Sequence, residues 1–383
     1  MSGTLQSRMI PVARPSIGFE EEQAVVAALR SGWVSQGPQV AEFERQFAAY
    51  VGARNAVAVT SCTTALHLAL IAAGVKPGDE VICPSLSFIA TANAIAYTGA
   101  IPVFADIDAE TYNIDPASIE KAITDRTSAI LVVHQVGLPA ALDEIKAIAR
   151  EHRLKVVEDA ACAVGAEYHG QRIGCPHTEI ACFSFHPRKV LTTGEGGMIT
   201  TSDDDLAARM RRMRQHSMSV SDLARHGATK VAAESYDELG YNYRMTDLQA
   251  AMGKVQLRRL DEMLAKRREL ARRYSERLAD LQWLIPPAEP SGLRHSYQSY
   301  MMRLTDEAPV SRDELMQKLL DQGVSTRRGI MAIHRETPYR SGWDDLLPIT
   351  NMITDSTIIL PLFHEMTDDD HAFVVECIKR VTN

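Results

Sequence analysis

Phe183-Ser184-Phe185-His186-Pro187-Arg188-Lys189-Val190-Leu191-Thr192-Thr193-Gly194-Glu195-Gly196-Gly197 is the stretch on which the reading of this chain turns. A strand-like apolar start runs into a polar segment with one lysine, and a tight glycine loop follows. A lysine amine held near an aldehyde can form a Schiff base. Once released, the same amine can move a proton between carbon atoms. A surface lysine ahead of a hairpin turn is the plain alternative.

Outward from this string, residues of about 55–201 alternate short apolar runs with helical patterns. Strands are expected at Ala56–Thr60, Glu80–Cys83, Pro102–Ala105, Ala129–Val133, Leu154–Glu158, Ile180–Phe185 and Met198–Thr201. Several are apolar throughout and rich in β-branched residues, as when both faces of a sheet are covered. Helical stretches lie between them, among them Thr64–Ala73, closed by Gly74, and Leu142–Glu151. This alternation predicts an α/β fold with a mostly parallel sheet.

From about Thr246 the pattern changes. Asp247–Arg277 reads as one long helix, and its basic clusters Lys266-Arg267-Arg268 and Arg272-Arg273 read as a solvated face. Mixed strand and helix signals after Pro286 predict a smaller C-terminal α+β domain. The expected division is a large domain over 1–250 and a small one over 251–383, with the segment 1–30 able to pack on the latter.

The chain has 383 residues and a net charge of −8, from 41 basic and 49 acidic side chains. That sign argues against a nucleic-acid partner held by phosphate neutralisation. Six scattered cysteines without a CxxC predict free thiols in a reducing compartment rather than a disulfide framework. Residues Met1–Arg8 show no apolar core of a secretion signal, and no stretch is long and apolar enough for a membrane span. The expectation is a cytoplasmic protein. No metal site is expected: Cys175-Pro176-His177 lacks partners, and His364-Glu365 does not continue to HExxH.

Two further motifs carry chemistry. In Val59-Thr60-Ser61-Cys62-Thr63-Thr64-Ala65-Leu66 a strand enters a helix through small hydroxyl residues, which makes an anion corner. Simple capping by Ser61 or Thr63 is the alternative. Neither GxxxxGK[ST] nor GxGxxG occurs, so nucleotide sites of those types are unsupported. In Leu154-Lys155-Val156-Val157-Glu158-Asp159-Ala160-Ala161 an acidic pair ends a buried-looking strand, where parallel sheets place their ligands. A helix-capping aspartate is the alternative there. Phe88, in Pro84-Ser85-Leu86-Ser87-Phe88-Ile89-Ala90-Thr91, offers either an aromatic face or a core side chain. A phosphate cradle, a carboxylate for a ring nitrogen and an imine-forming lysine are together what pyridoxal phosphate needs.

The chain resembles the DegT/DnrJ/EryC1/StrS family of fold-type-I pyridoxal-phosphate enzymes, mostly sugar aminotransferases. The likeness runs from Ser31-Gly32-Trp33-Val34-Ser35-Gln36-Gly37-Pro38 with Glu42-Phe43-Glu44, through the motifs above, to Gly240-Tyr241-Asn242-Tyr243-Arg244-Met245, Ile333-His334 and Leu360-Pro361-Leu362. It implies a fold-type-I transferase, with a mostly parallel seven-stranded sheet in the large domain. By the resemblance, Lys189 forms the imine with pyridoxal 5'-phosphate and Asp159 pairs with its ring nitrogen. Thr63, Thr64 and Ser184 hold the phosphate, and Phe88 stacks on the ring. Asn242 reaches the cofactor of a neighbouring subunit, which implies a homodimer with shared sites. Cys162 stands where the family usually has Gln or His against the ring oxygen, and His186 is a further active-site candidate. Trp33, Ser35, Arg244 and His334 are substrate candidates. A subset of the family has histidine in place of the lysine and performs dehydration; Lys189 favours transamination. The implied reaction takes an amino group from L-glutamate to a nucleotide-linked keto sugar, a 4-keto-6-deoxyhexose. A keto-cyclitol acceptor, or a regulatory protein that binds the cofactor without turnover, are the rival readings.

Overall fold

The structure, a computed structural model, describes residues 9–381 except 175–178, 221–224, 226–232 and 341. The Met1–Arg8 leader reading and the Cys175-Pro176-His177 reading lie outside the described residues. All seven expected strands form, within two residues of the expected bounds. They are β1 (Asn55–Val59), β2 (Glu80–Pro84), β3 (Ile101–Ala105), β4 (Thr127–Val133), β5 (Lys155–Asp159), β8 (Ile180–Ser184) and β9 (Gly197–Thr201). Two short strands, β6 (Glu167–Tyr168) and β7 (Gln171–Arg172), intervene and pair with β11 (Leu293–Arg294) in a separate small sheet.

The large sheet has the order β1-β9-β8-β5-β4-β2-β3. The pairs β2–β3, β2–β4, β4–β5 and β5–β8 are parallel. Strand β9 runs antiparallel to both β1 and β8. The reason is the connection: no helix separates β8 from β9, so the chain turns back on itself instead of crossing over. That return carries Lys189.

Side-chain alternation sends each strand's apolar residues to both faces. On one face, Ile130, Val132 and Phe183 join Phe43 and Phe47 of α2 (Pro38–Val51). On the other, Val57, Leu131 and Val157 pack with Leu66, Leu68 and Leu70 of α3 (Cys62–Ala72). The sheet is therefore covered on both sides, which explains why its strands read as continuous apolar runs.

The small unit has a four-stranded antiparallel sheet, β10 (Leu284–Ile285), β12 (Tyr300–Leu304), β14 (Thr357–Leu360) and β13 (Arg327–Arg328), in that spatial order. The long helix joins it to the large sheet and spans the expected Asp247–Arg277; it is labelled α8 here, after α1 (Phe19–Ser31), α2, α3, α4 (Ala90–Tyr97), α5 (Pro116–Ala122), α6 (Leu142–His152) and α7 (Asp204–Met213). Its residues up to Leu264 pack in the core of the large sheet, whereas Leu270, Ala271 and Tyr274 belong to the core of the small one. The two cores meet along this helix, because its first half covers the large sheet and its second half packs in the small one. The N-terminal segment reaches the small sheet. Ile10 makes a parallel bridge to Val324, and Leu362 N–H donates to Val12 C=O at 3.1 Å. Helix α1 lies against α8, where the fully buried Glu21 accepts from Arg259 at 2.8 Å and Gln256 at 2.7 Å.

One expectation fails. Lys266-Arg267-Arg268 is not simply a solvated face. Arg267 is buried and donates to the carbonyls of Tyr297 (2.8 Å) and Gln298 (2.6 Å). Arg268 donates to those of His295 (2.9 Å) and Gly165 (2.8 Å). Irregular backbone from 295 to 298 exposes carbonyls that no ladder serves, and the two guanidinium groups satisfy them.

Candidate active site

Asp159 is the last residue of β5, so its side chain leaves the sheet on the α3 side while Glu158 points to the other face. The acidic pair is thereby split. Glu158 accepts from His134 Nε2 at 2.7 Å, both completely buried, and His134 Nδ1 in turn accepts from the Ala140 N–H at 3.0 Å. Asp159 accepts from the Thr91 hydroxyl at 3.0 Å and the Ala161 N–H at 3.1 Å. Burial pushes its carboxyl up, and the Ala161 N–H, Lys189, Thr91 and His134 only partly offset this. A carboxylate so placed calls for a cation.

The N-terminus of α3 lies beside it: the thiol of Cys62, the helix's first residue, is 3.9 Å from Asp159 Oδ1. Ser61 caps this helix, accepting from the Thr64 N–H at 3.2 Å, and the Thr64 hydroxyl bonds back to the Ser61 N–H at 3.1 Å. The capping reading therefore holds for Ser61, and the Thr64 hydroxyl is engaged in it. The N–H groups of Cys62 and Thr63 have no acceptor within the helix, which leaves an anion-binding pair. Gly197, where β9 begins, passes so close that a Cβ there would meet the Ser61 carbonyl and stand 2.8 Å from Cys62 N.

Lys189 reaches into the same place. Its ammonium donates to Cys162 Sγ at 3.1 Å. Burial pulls this ammonium's pKa down, but Cys162, Cys62 and Asp159 outweigh it and the net shift is upward. The lysine's backbone is gripped from the small unit. Gln298 donates through its side-chain amide to Arg188 C=O at 2.6 Å and accepts from Val190 N–H at 3.0 Å, so it brackets Lys189. Ser296 donates to Cys162 C=O at 2.8 Å. The glycine loop is closed by Thr193 and Gln249, each donating at 2.7 Å to Glu195 C=O.

Lys189, Cys162, Asp159 and the start of α3 are therefore assembled. Ser184 is buried at the end of β8, and its hydroxyl accepts from His186 N–H at 3.5 Å. His186 is half-buried, burial lowers its pKa, and Nδ1 accepts from Arg188 N–H at 3.2 Å. Phe88 is 65% exposed, on the loop between β2 and the helix that starts at Ala90, whose second residue is Thr91. Asn242 is exposed and pairs by backbone with Gln215, while Arg244 pairs with Val59. The Trp33–Gly37 loop is tied to α8: Ser35 C=O accepts from Asp247 N–H at 2.9 Å. His334 is buried with both ring nitrogens engaged, Nδ1 with Ser85 at 2.7 Å and Nε2 with Asn351 at 3.1 Å. That ring holds the loop between β2 and the helix that starts at Ala90. Thr91, Gln298, Arg267 and Asp247 carry the site and were not read as site residues from sequence; a lone threonine, glutamine or aspartate gives no local signal, and Arg267 sat in a cluster that reads as a solvated face. Among the described residues, no three His, Cys, Asp or Glu side chains gather as a metal site. No helix among them is long and apolar enough to cross a membrane.

A doubly covered, mostly parallel sheet with a lysine on the return loop, a buried carboxylate at a strand end and an anion corner at a helix start defines a fold-type-I pyridoxal-phosphate aminotransferase. The donor set fits that cofactor. The chain belongs to the DegT/DnrJ/EryC1/StrS aminotransferase family, whose profile matches residues 15–379, and it is a sugar aminotransferase of that family. It is similar to the spore coat polysaccharide biosynthesis protein SpsC of Bacillus subtilis, 42% identical over 381 residues and 98% of each chain. It also resembles Spr1654 from Streptococcus pneumoniae in the PMP form, with 28% identity, 97% of this chain and 99% of that chain covered, and a TM-score of 0.91. DesI in the presence of its TDP-sugar product is similar too, at 33% identity over 97% of this chain and 93% of that chain, with a TM-score of 0.89.

Proposed function

We propose that the protein transfers an amino group from L-glutamate to a nucleotide-linked keto sugar, a 4-keto-6-deoxyhexose, and does so in the cytoplasm as a homodimer with shared sites. The observation that carries the reading is the meeting of Lys189, the buried Asp159 and the free N–H pair of α3 at one place. Bound pyridoxal phosphate supplies an aldehyde for the amine and a ring that takes up an electron pair from a C–H bond. Asp159 keeps the ring nitrogen protonated, since a buried carboxylate is stabilised by a facing cation. The N–H groups of Cys62 and Thr63, with Ser184, hold the phosphate. Lys189 Nζ moves the proton at the substrate carbon. Phe88 covers the ring, Cys162 faces its oxygen, and His186 lies toward the amino donor. Trp33, Ser35 and Arg244 face the acceptor, with His334 shaping that side through Ser85. The nucleotide-sugar acceptor is supported by DesI and its TDP-sugar product. Exposed apolar side chains such as Phe88 (65%) and Leu239 (79%), with Asn242 nearby in sequence, support a partner subunit.

The test is spectroscopic. Glutamate should shift the visible absorbance of the loaded protein, and Lys189→Ala should bind the cofactor without the lysine-dependent band. A wild-type spectrum indifferent to glutamate overturns the donor. Screening dTDP-, UDP- and GDP-linked keto sugars against scyllo-inosose decides the acceptor, and turnover of a cyclitol alone overturns the sugar reading.

A further inference from the structure

We propose that Cys162 and Lys189 form a covalent oxidation site, at which a hydroperoxide such as hydrogen peroxide joins Sγ to Nζ through a sulfenamide bond. Three observations carry it. Lys189 Nζ lies 3.1 Å from Cys162 Sγ, within hydrogen-bond reach of the sulfur. Both backbones are fixed by one short segment: Ser296 holds the Cys162 carbonyl at 2.8 Å, and Gln298 holds the peptide units on each side of Lys189 at 2.6 and 3.0 Å. The contact therefore joins two anchored residues rather than two loose side chains. Finally, among the described cysteines, Cys162 alone is partly exposed, whereas Cys62, Cys83, Cys182 and Cys377 are buried. A small oxidant arriving from solvent meets Cys162 before the buried thiols.

The chemistry balances in two steps. The thiol takes one oxygen from the peroxide, giving a sulfenic acid and water, so sulfur loses two electrons and the O–O bond breaks. The neutral Lys189 amine, after its extra proton passes to water, then attacks that sulfur. The S–N bond forms, the S–O bond breaks, and the departing hydroxyl leaves as water with a proton from nitrogen. Two waters are released per peroxide, and the protein loses two hydrogens. Two equivalents of an added thiol reverse the bond. The consequence for catalysis rests on the reading of Lys189 as the cofactor lysine: a nitrogen bonded to sulfur is closed to the aldehyde, and a nitrogen committed to the cofactor is closed to sulfur.

The full chain, freed of cofactor, is treated with hydrogen peroxide and digested without reductant. The expected result is a peptide pair joined through Cys162 and Lys189, lighter by two hydrogens than the sum of its parts and separated by dithiothreitol. Cofactor binding falls in step with the joined fraction. Neither Cys162→Ser nor Lys189→Ala yields the pair. Recovery of Cys162 only as sulfinic or sulfonic acid, with the Lys189 peptide unmodified, overturns the proposal. Saturation with pyridoxal phosphate beforehand should suppress the bond; an equal yield in the saturated protein would uphold the oxidation site and tell against Lys189 as the cofactor lysine.

Discussion

Asp159 shows how one residue's role follows from its surroundings. The hydrogen bonds it accepts from Thr91 and Ala161 do not offset the cost of burying the charge, and its pKa is raised. A facing cation resolves that imbalance. Asp159→Asn keeps the shape and the Thr91 contact but removes the charge. Breaking a buried ion pair costs about 3–5 kcal/mol, so kcat/KM should fall by roughly a hundredfold to several thousandfold, with an unchanged circular dichroism spectrum. Retention of most activity would show that no cation faces this carboxylate. The neighbouring Glu158 gives the contrast. It meets His134 behind the sheet, and Glu158→Gln should lower stability more than it alters the cofactor's spectrum.

At the scale of elements, two devices hold the site. Gln298 brackets Lys189, and Arg267 of α8 clamps the Gln298 carbonyl. Gln298→Ala removes two hydrogen bonds of about 1 kcal/mol each and frees the lysine's backbone. Melting should come earlier, and condensation of Lys189 with pyridoxal phosphate should slow in stopped-flow absorbance. Gln298→Glu keeps the acceptor for Val190 and should recover part of the rate; no difference between the two variants would argue against the bracket. The second device is Asp247. Helix α2 has no capping side chain of its own, since Gly37 precedes it. The buried Asp247 carboxylate, at the start of α8, accepts instead from the N–H groups of Gly37 (2.8 Å), Gln39 (3.0 Å) and Val40 (3.0 Å). Loss of a cap costs about 0.5–2 kcal/mol, and Asp247→Ala should sit at the upper end, read as a drop in denaturant midpoint. It should also loosen the Trp33–Gly37 loop and raise KM for the acceptor.

For the whole molecule, the largest histidine contributions to acid sensitivity come from two rings packed with the small unit. Burial holds His295 down to about 3 and His371 down to about 4. Below the ordinary value of about 6.5 the unfolded chain binds protons that the folded chain refuses. Stability is therefore full above that value and is lost as pH falls, by about 1.4 kcal/mol per pH unit for each histidine. Thermal midpoints measured from pH 7 to pH 5 should drop steadily; a flat profile would mean that these rings are not buried neutral. Sedimentation or native mass spectrometry should give a dimer, and Leu239→Asp, at an exposed apolar side chain, should weaken it.

What the residues alone determined is local or periodic. Strand and helix order, the bounds of the long helix, the anion corner and the lysine string are written in patterns of two, three and four residues, because alternation and capping act over that range. Lys189 and Asp159 were singled out for the same reason, each sitting in a run whose order is informative, whereas Cys162 was singled out only by the family resemblance. The tertiary structure alone decided what meets across the chain. It separated Glu158 from Asp159 by the faces of β5, turned Arg267 and Arg268 from a solvated face into clamps on carbonyls, gave His334 to Ser85, and brought Gln298 against Lys189 and Asp247 against Gly37. Those contacts join residues scores to hundreds of positions apart, and no local pattern encodes them, since backbone groups left bare by one segment are satisfied by whichever side chain the packing of another brings near.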